Sequence, residues 1–99
     1  MEMPKNMLTQ IQQMQQQYME AQEALKKETV IGGAGGGAVR ILLTGDQRCT
    51  EVHIDPALLK DGDAVLLQDL VLTALNTALD SSRQLAIQKL GPLADMLNR

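Results

Sequence analysis

The chain has 99 residues, 9 basic and 12 acidic side chains for a net charge of −3, a single cysteine, and Tyr18 as its only aromatic residue. That is one small domain whose core must be built from Leu, Ile, Val, Ala and Met. It buries only roughly 60–70% of the surface its unfolded form exposes, so a second copy is an expected stabiliser. Residues 1–31, 32–59 and 60–99 each net −1, which excludes a basic tail. The unpaired Cys49 argues against a disulfide framework and fits a reducing cytosol. No 18-residue apolar run occurs, and MEMPKNML reads as neither a span nor a secretory leader.

The first element expected is a helix over about 4–27. Met7, Ile11, Met14, Tyr18, Ala21 and Leu25 alternate spacings of four and three, the a/d seam of a heptad pattern. Gln, Glu and Lys fill the other positions and favour helix, and Pro4 suits a first turn. The Gln run from Gln10 to Gln17 is read as the solvated face of this helix rather than as low complexity.

A sheet over about 28–54 follows. Glu28–Ile31 is a short strand, and Gly32 to Gly37 is expected to reverse the chain. Ala38–Thr44 is the second strand, Gly45–Arg48 a turn, and Cys49–Ile54 the third strand. Alternation puts Val39, Ile41, Leu43, Thr50, Val52 and Ile54 on a core face. Arg40, Leu42, Thr44, Cys49, Glu51 and His53 fall on the other. Leu42 is the apolar exception there, suited to cover by a second subunit.

Asp55-Pro56 ends the third strand, and residues 56–59 form one helical turn. Asp61 or Asp63 then caps a helix over about 61–90. Its apolar arc (Leu66, Leu67, Leu70, Val71, Ala74, Leu75, Ala78, Leu79) is wide enough for both a sheet and a second subunit. Gly91-Pro92 is expected to break it, leaving a terminal turn over 92–98. The fold class is therefore α+β: a long N-terminal helix, a three-stranded antiparallel meander and a long C-terminal helix. Leu42, Leu66, Leu70, Ala74 and Ala78 are the dimer-interface candidates.

Bond chemistry lacks parts. Cys49, Glu51 and His53 share a strand face, but a structural zinc site wants four ligands, so no metal is assigned. The glycine run enters a strand, where a phosphate loop would be followed by Lys-Ser/Thr and a helix. Ser81 and Ser82 lie mid-helix, away from the single His53. Asp61, Asp63 and Asp69 suit the positive end of a helix dipole. Neither an enzyme nor a cofactor nor a small-molecule substrate is expected. The cations are solvated individually: Lys26 and Lys27 at a helix end, Arg83 and Lys89 on the second helix, Lys5 near the N-terminus. Across a two-fold axis they could form paired phosphate-gripping patches, and Tyr18, on the seam, offers no stacking platform for single strands.

QIQQMQQQYMEAQEAL, GGAGGGAVRILLTG and VHIDPALLKDGDAVLLQDLVLTALNTAL together resemble the YbaB/EbfC nucleoid-associated proteins over nearly the whole chain. IDPALL, followed by the acidic helix start, is the most specific part. The resemblance implies a tweezer-like homodimer without enzymatic activity. It also implies double-stranded DNA binding with little sequence specificity, in the nucleoid of the bacterial cytoplasm, with influence on gene expression. It makes Lys5, Lys26, Lys27, Arg83 and Lys89 the DNA-binding candidates. The chain departs from the family pattern in its first helix, where Gln12, Gln13, Gln15, Gln16 and Gln17 stand where members often carry lysines, so fewer phosphate contacts are expected. The alternative is a coiled-coil protein-interaction or holdase-like module, although prefoldin-like chaperones need longer paired coils than about 24 residues supply.

Overall fold

The computed structural model describes residues 5–97, with side chains through Pro92. Its order is α1 (Lys5–Lys27), β1 (Thr29–Ala34), β2 (Val39–Thr44), β3 (Cys49–Ile54), α2 (Ala57–Lys60) and α3 (Ala64–Leu97). The three strands form one antiparallel sheet in the order β1-β2-β3. The molecule measures 72 × 21 × 18 Å, a length that follows from α1 and α3, about 35 and 50 Å long at the helical rise. Pro4 and the residues after Leu97 lie outside the described residues. Among the described residues, no helix is long and apolar enough to cross a membrane.

The expected meander is present, but the glycine run divides differently. Gly32 and Gly33 belong to β1, paired with Ile41 and Arg40. Only Gly35–Ala38 turn the chain, with φ of 65°, 69° and 93° at Gly35, Gly36 and Gly37, a left-handed stretch open to glycine alone without strain. Gly32 serves packing instead. A Cβ there would overlap the carbonyl oxygen of Ala74 and the amide nitrogen of Ala78, and would stand 2.7 Å from Ala78 Cβ. α3 thus lies directly on the backbone of β1.

The core forms beneath this contact. Val39, Ile41 and Leu43, alternate residues of β2, are 0–3% exposed and pack with Ala74 and Ala78, both at 0%. Val30, Leu67, Leu70, Val71, Leu75 and Leu79 close around them. The dimer-interface reading of Ala74 and Ala78 is therefore corrected. Small side chains on a helix permit close approach, and here that approach is to β1 of the same chain, leaving no surface for a partner.

Alternation predicts the inner face of β2 correctly and overstates it for β3. α3 lies over β1 and β2, so Val52 and Ile54 stay open at 53% and 37%, and Thr50 is exposed too. The register also slips between Leu42 and Leu43, which pair with Glu51 and Cys49. The bulge leaves Thr50 as the extra residue and takes Cys49 out of step with Glu51 and His53. His53 Nε2 sits 2.8 Å from Glu51 Oε2. Among the described residues, no three His, Cys, Asp or Glu side chains are grouped to hold a metal ion.

Of the two candidate caps, Asp63 is the one used: its Oδ1 accepts the Leu66 amide at 3.0 Å, so α3 starts at Ala64 rather than 61. Asp55 Oδ1 likewise accepts the Ala57 amide at 2.9 Å ahead of α2. The break expected at Gly91-Pro92 does not occur, and the separate turn over 92–98 is replaced by helix running to Leu97. Proline deprives the Gln88 carbonyl of a partner. Gln88 and Pro92 are both exposed, where water can take that carbonyl.

Candidate functional site

α1, the β2–β3 turn and α3 meet at one buried hydrogen-bonded knot. Leu25, the last residue of the α1 seam, is 3% exposed. Its carbonyl accepts the Gly45 amide at 2.8 Å, and the Glu28 carbonyl shares that amide at 3.0 Å. From the other side Ser82, 0% exposed on α3, donates its hydroxyl to the Thr44 carbonyl at 2.8 Å, with the Gly45 carbonyl at 3.2 Å. Thr44 ties off the turn. Its amide donates to the Arg48 carbonyl at 2.8 Å, its Oγ1 accepts the Arg48 amide at 3.0 Å, and its hydroxyl bonds to the Asp46 carboxylate. Gln47 holds a left-handed φ of 66° at the turn's corner. A buried hydroxyl that meets a carbonyl relieves what would otherwise be an unsatisfied group costing about 1–3 kcal/mol.

Above the knot an open groove runs between the helices, lined by Gln22, Lys26, Gln47 and Arg83 over Leu25 and Leu90. The fold thus brings Lys26 and Arg83 to one place from opposite ends of the sequence. Lys26 Nζ lies 3.2 Å from Glu23 and Arg83 Nη1 3.4 Å from Asp80, each pair more than half exposed. Such i,i+3 pairs contribute about 1 kcal/mol at most, so a phosphate can replace the carboxylate. Lys27 is exposed on the neighbouring α1 face, beside Gln16, Glu20 and Glu23. Lys89 makes a cross-element ion pair, 3.1 Å from Glu28, which ties α3 to the α1–β1 junction. Lys5 stands apart, about 30 Å from Lys26 along α1 at the helical rise.

Three of the dimer candidates retain surface. Leu66 is 46% exposed, Leu70 is partly buried against the core, and Leu42 is half-buried opposite Glu51. Val52 and Ile54 join them as open apolar side chains. The α1 seam grades from buried Leu25 to Ile11 at 40% and Met7 at 50% exposed. Ser82 and Gly45 escaped sequence reasoning. Ser82 meets its partners 37 and 38 positions away, and a serine in mid-helix carries no local signal of such a bond.

The profile of the YbaB/EbfC DNA-binding family matches residues 1–97. A nucleoid-associated protein of Mycobacterium sp. (strain KMS) is 48% identical over 88 residues, covering 89% of this chain and 80% of that protein. A nucleoid-associated protein of Rhodococcus jostii (strain RHA1) is 43% identical over 88 residues, covering 89% and 78%. The crystal structure of an uncharacterized protein from Helicobacter pylori superimposes with a TM-score of 0.69 at 24% identity, over 97% of this chain and 99% of that one, a likeness of fold.

Proposed function

The chain belongs to the YbaB/EbfC DNA-binding family, and from that membership we propose that it is a nucleoid-associated protein of the bacterial cytoplasm that binds double-stranded DNA as a homodimer. The reading rests above all on the family match across residues 1–97. The groove joining Lys26 and Arg83 supports it and suggests where the backbone is held. Lysine and arginine contacts to phosphate position a protein without reading bases, so little sequence preference is expected, and the role is to organise the nucleoid and thereby influence gene expression. No catalytic step, cofactor or small-molecule substrate enters the reading.

The experiment is a salt titration of binding to duplexes of unrelated sequence. Each duplex should be bound at low ionic strength, with similar midpoints and a linear fall of log K with log salt. Failure to bind any duplex at low salt, with the oligomer intact, rejects the reading.

The homodimer has a physical rationale in β3. Val52 and Ile54 stand on the same sheet face as the buried Val39 and Ile41, yet nothing among the described residues covers them. A second copy laid over that strip completes the layer and sets two pairs of helices as arms. Val52→Asp should then yield a folded monomer, because the residue takes no part in the chain's own core. The dimer should weaken by roughly 100-fold or more, from two Val-sized burials lost per dimer. Light scattering over a dilution series reads this, and an unchanged dimer mass would reject the strip as interface.

A further inference from the structure

The knot that draws Lys26 and Arg83 together holds one more basic residue. Arg48 closes the β2–β3 turn, with its amide on Thr44 Oγ1 at 3.0 Å and its carbonyl on the Thr44 amide at 2.8 Å. Its main chain is thereby pinned to the residue whose carbonyl receives Ser82 Oγ. Lys26 follows Leu25, whose carbonyl receives the Gly45 amide, and Arg83 follows Ser82. Each of the three therefore stands within one residue of an atom in the same hydrogen-bonded network, although they come from α1, the turn and α3. Arg48 is exposed, and among the described residues it makes no ion pair, whereas Lys26 and Arg83 each share a carboxylate. The neighbouring acid, Asp46, is engaged by the Thr44 hydroxyl.

We propose that Arg48 binds a DNA phosphate alongside Lys26 and Arg83, making the β2–β3 turn a third element of the interface. This rests on the DNA-binding reading above. A guanidinium offers a planar fork of donors that matches two phosphate oxygens at once. Its pinned main chain lowers the ordering cost of forming that contact. The contact positions the duplex and reads no base.

The test measures anisotropy of a labelled duplex across a KCl series for the wild type, Arg48→Gln, Arg48→Lys and Lys60→Gln. Lys60, exposed at the end of α2, removes the same unit charge outside the knot. Arg48→Gln should weaken binding about tenfold and lower the salt slope by about two per dimer, uniformly across sequences. The mass by light scattering should not change. Arg48→Lys should recover much of the slope, and Lys60→Gln should stay within about twofold of the wild type. Equal affinity and slope for wild type and Arg48→Gln overturns the assignment while the DNA-binding reading stands. So does an equal loss for Lys60→Gln, which would reduce the effect to net charge. If the wild type binds no duplex, both readings fall.

Discussion

Replacing Gly32 with alanine should cost at least ~3 kcal/mol, at the severe end of overpacking, while the same change at Gly33 should cost little. The new Cβ at Gly32 would overlap backbone atoms of Ala74 and Ala78, and a helix backbone cannot rotate aside as a side chain can. α3 would have to lift off β1, opening gaps beside Val39, Ile41 and Leu43, the layer that forms the core. In a chain whose whole stability is of order 5–15 kcal/mol, that loss is a large fraction. At Gly33 the nearest atoms would be Val39 O at 3.7 Å and Arg40 Cγ at 4.0 Å, ordinary contact on the opposite face. Urea unfolding followed by circular dichroism compares the two. Similar midpoints for Gly32→Ala and Gly33→Ala would show that α3 does not rest on β1 as described.

The second large effect is expected at the groove. Lys26→Glu combined with Arg83→Glu should weaken duplex binding by about 100-fold or more and lower the salt slope by about three to four units. Four phosphate contacts per dimer are lost, each worth close to one unit. Reversal also leaves the new carboxylates beside Glu23 and Asp80, so the groove turns strongly acidic. Lys5→Glu changes the net charge by two per chain at a site about 30 Å along α1 and should weaken binding less. A KCl series read by anisotropy, with light scattering to verify the dimer, separates these cases. Retained affinity in the double variant would place the DNA elsewhere on the molecule.

Much of the architecture could be read locally. The four-and-three spacing from Met7 to Leu25 marks α1 because helical periodicity is a property of neighbours in sequence. The alternation of Val39, Ile41 and Leu43 marks the inner face of β2 for the same reason, and Asp63 declares the start of α3 through a bond to a residue three positions on. The errors share a different character. Gly32 reads as part of a turn because glycine is permissive; its purpose depends on a helix about 45 residues later in sequence. Ala74 and Ala78 suit a dimer seam equally well in sequence, because a small side chain says that something comes close and not what. Val52 and Ile54 have the pattern of core residues, but their burial depends on how far one helix extends across a sheet. Pro92 reads as the end of α3, yet the helix runs on to Leu97, because on an exposed stretch water can take the carbonyl left without a partner.

The candidate site divides along the same line. The cations themselves, the absence of a basic block and the family resemblance were all in the sequence. The missing fourth metal ligand and phosphate-loop pattern are sequence features too, and from them a binding protein rather than a catalyst is expected. What only the tertiary structure decided is which cations lie along one groove. Lys26 and Arg83 meet because Gly45 and Ser82 stitch α1, the turn and α3 into one knot. Lys5 is held far from them by the length of α1, and Lys89 is occupied by Glu28. Local pattern determines which residues can form helix, strand and turn, since those choices rest on neighbours. Convergence of charge is set by contacts between residues dozens of positions apart, and no local periodicity carries them.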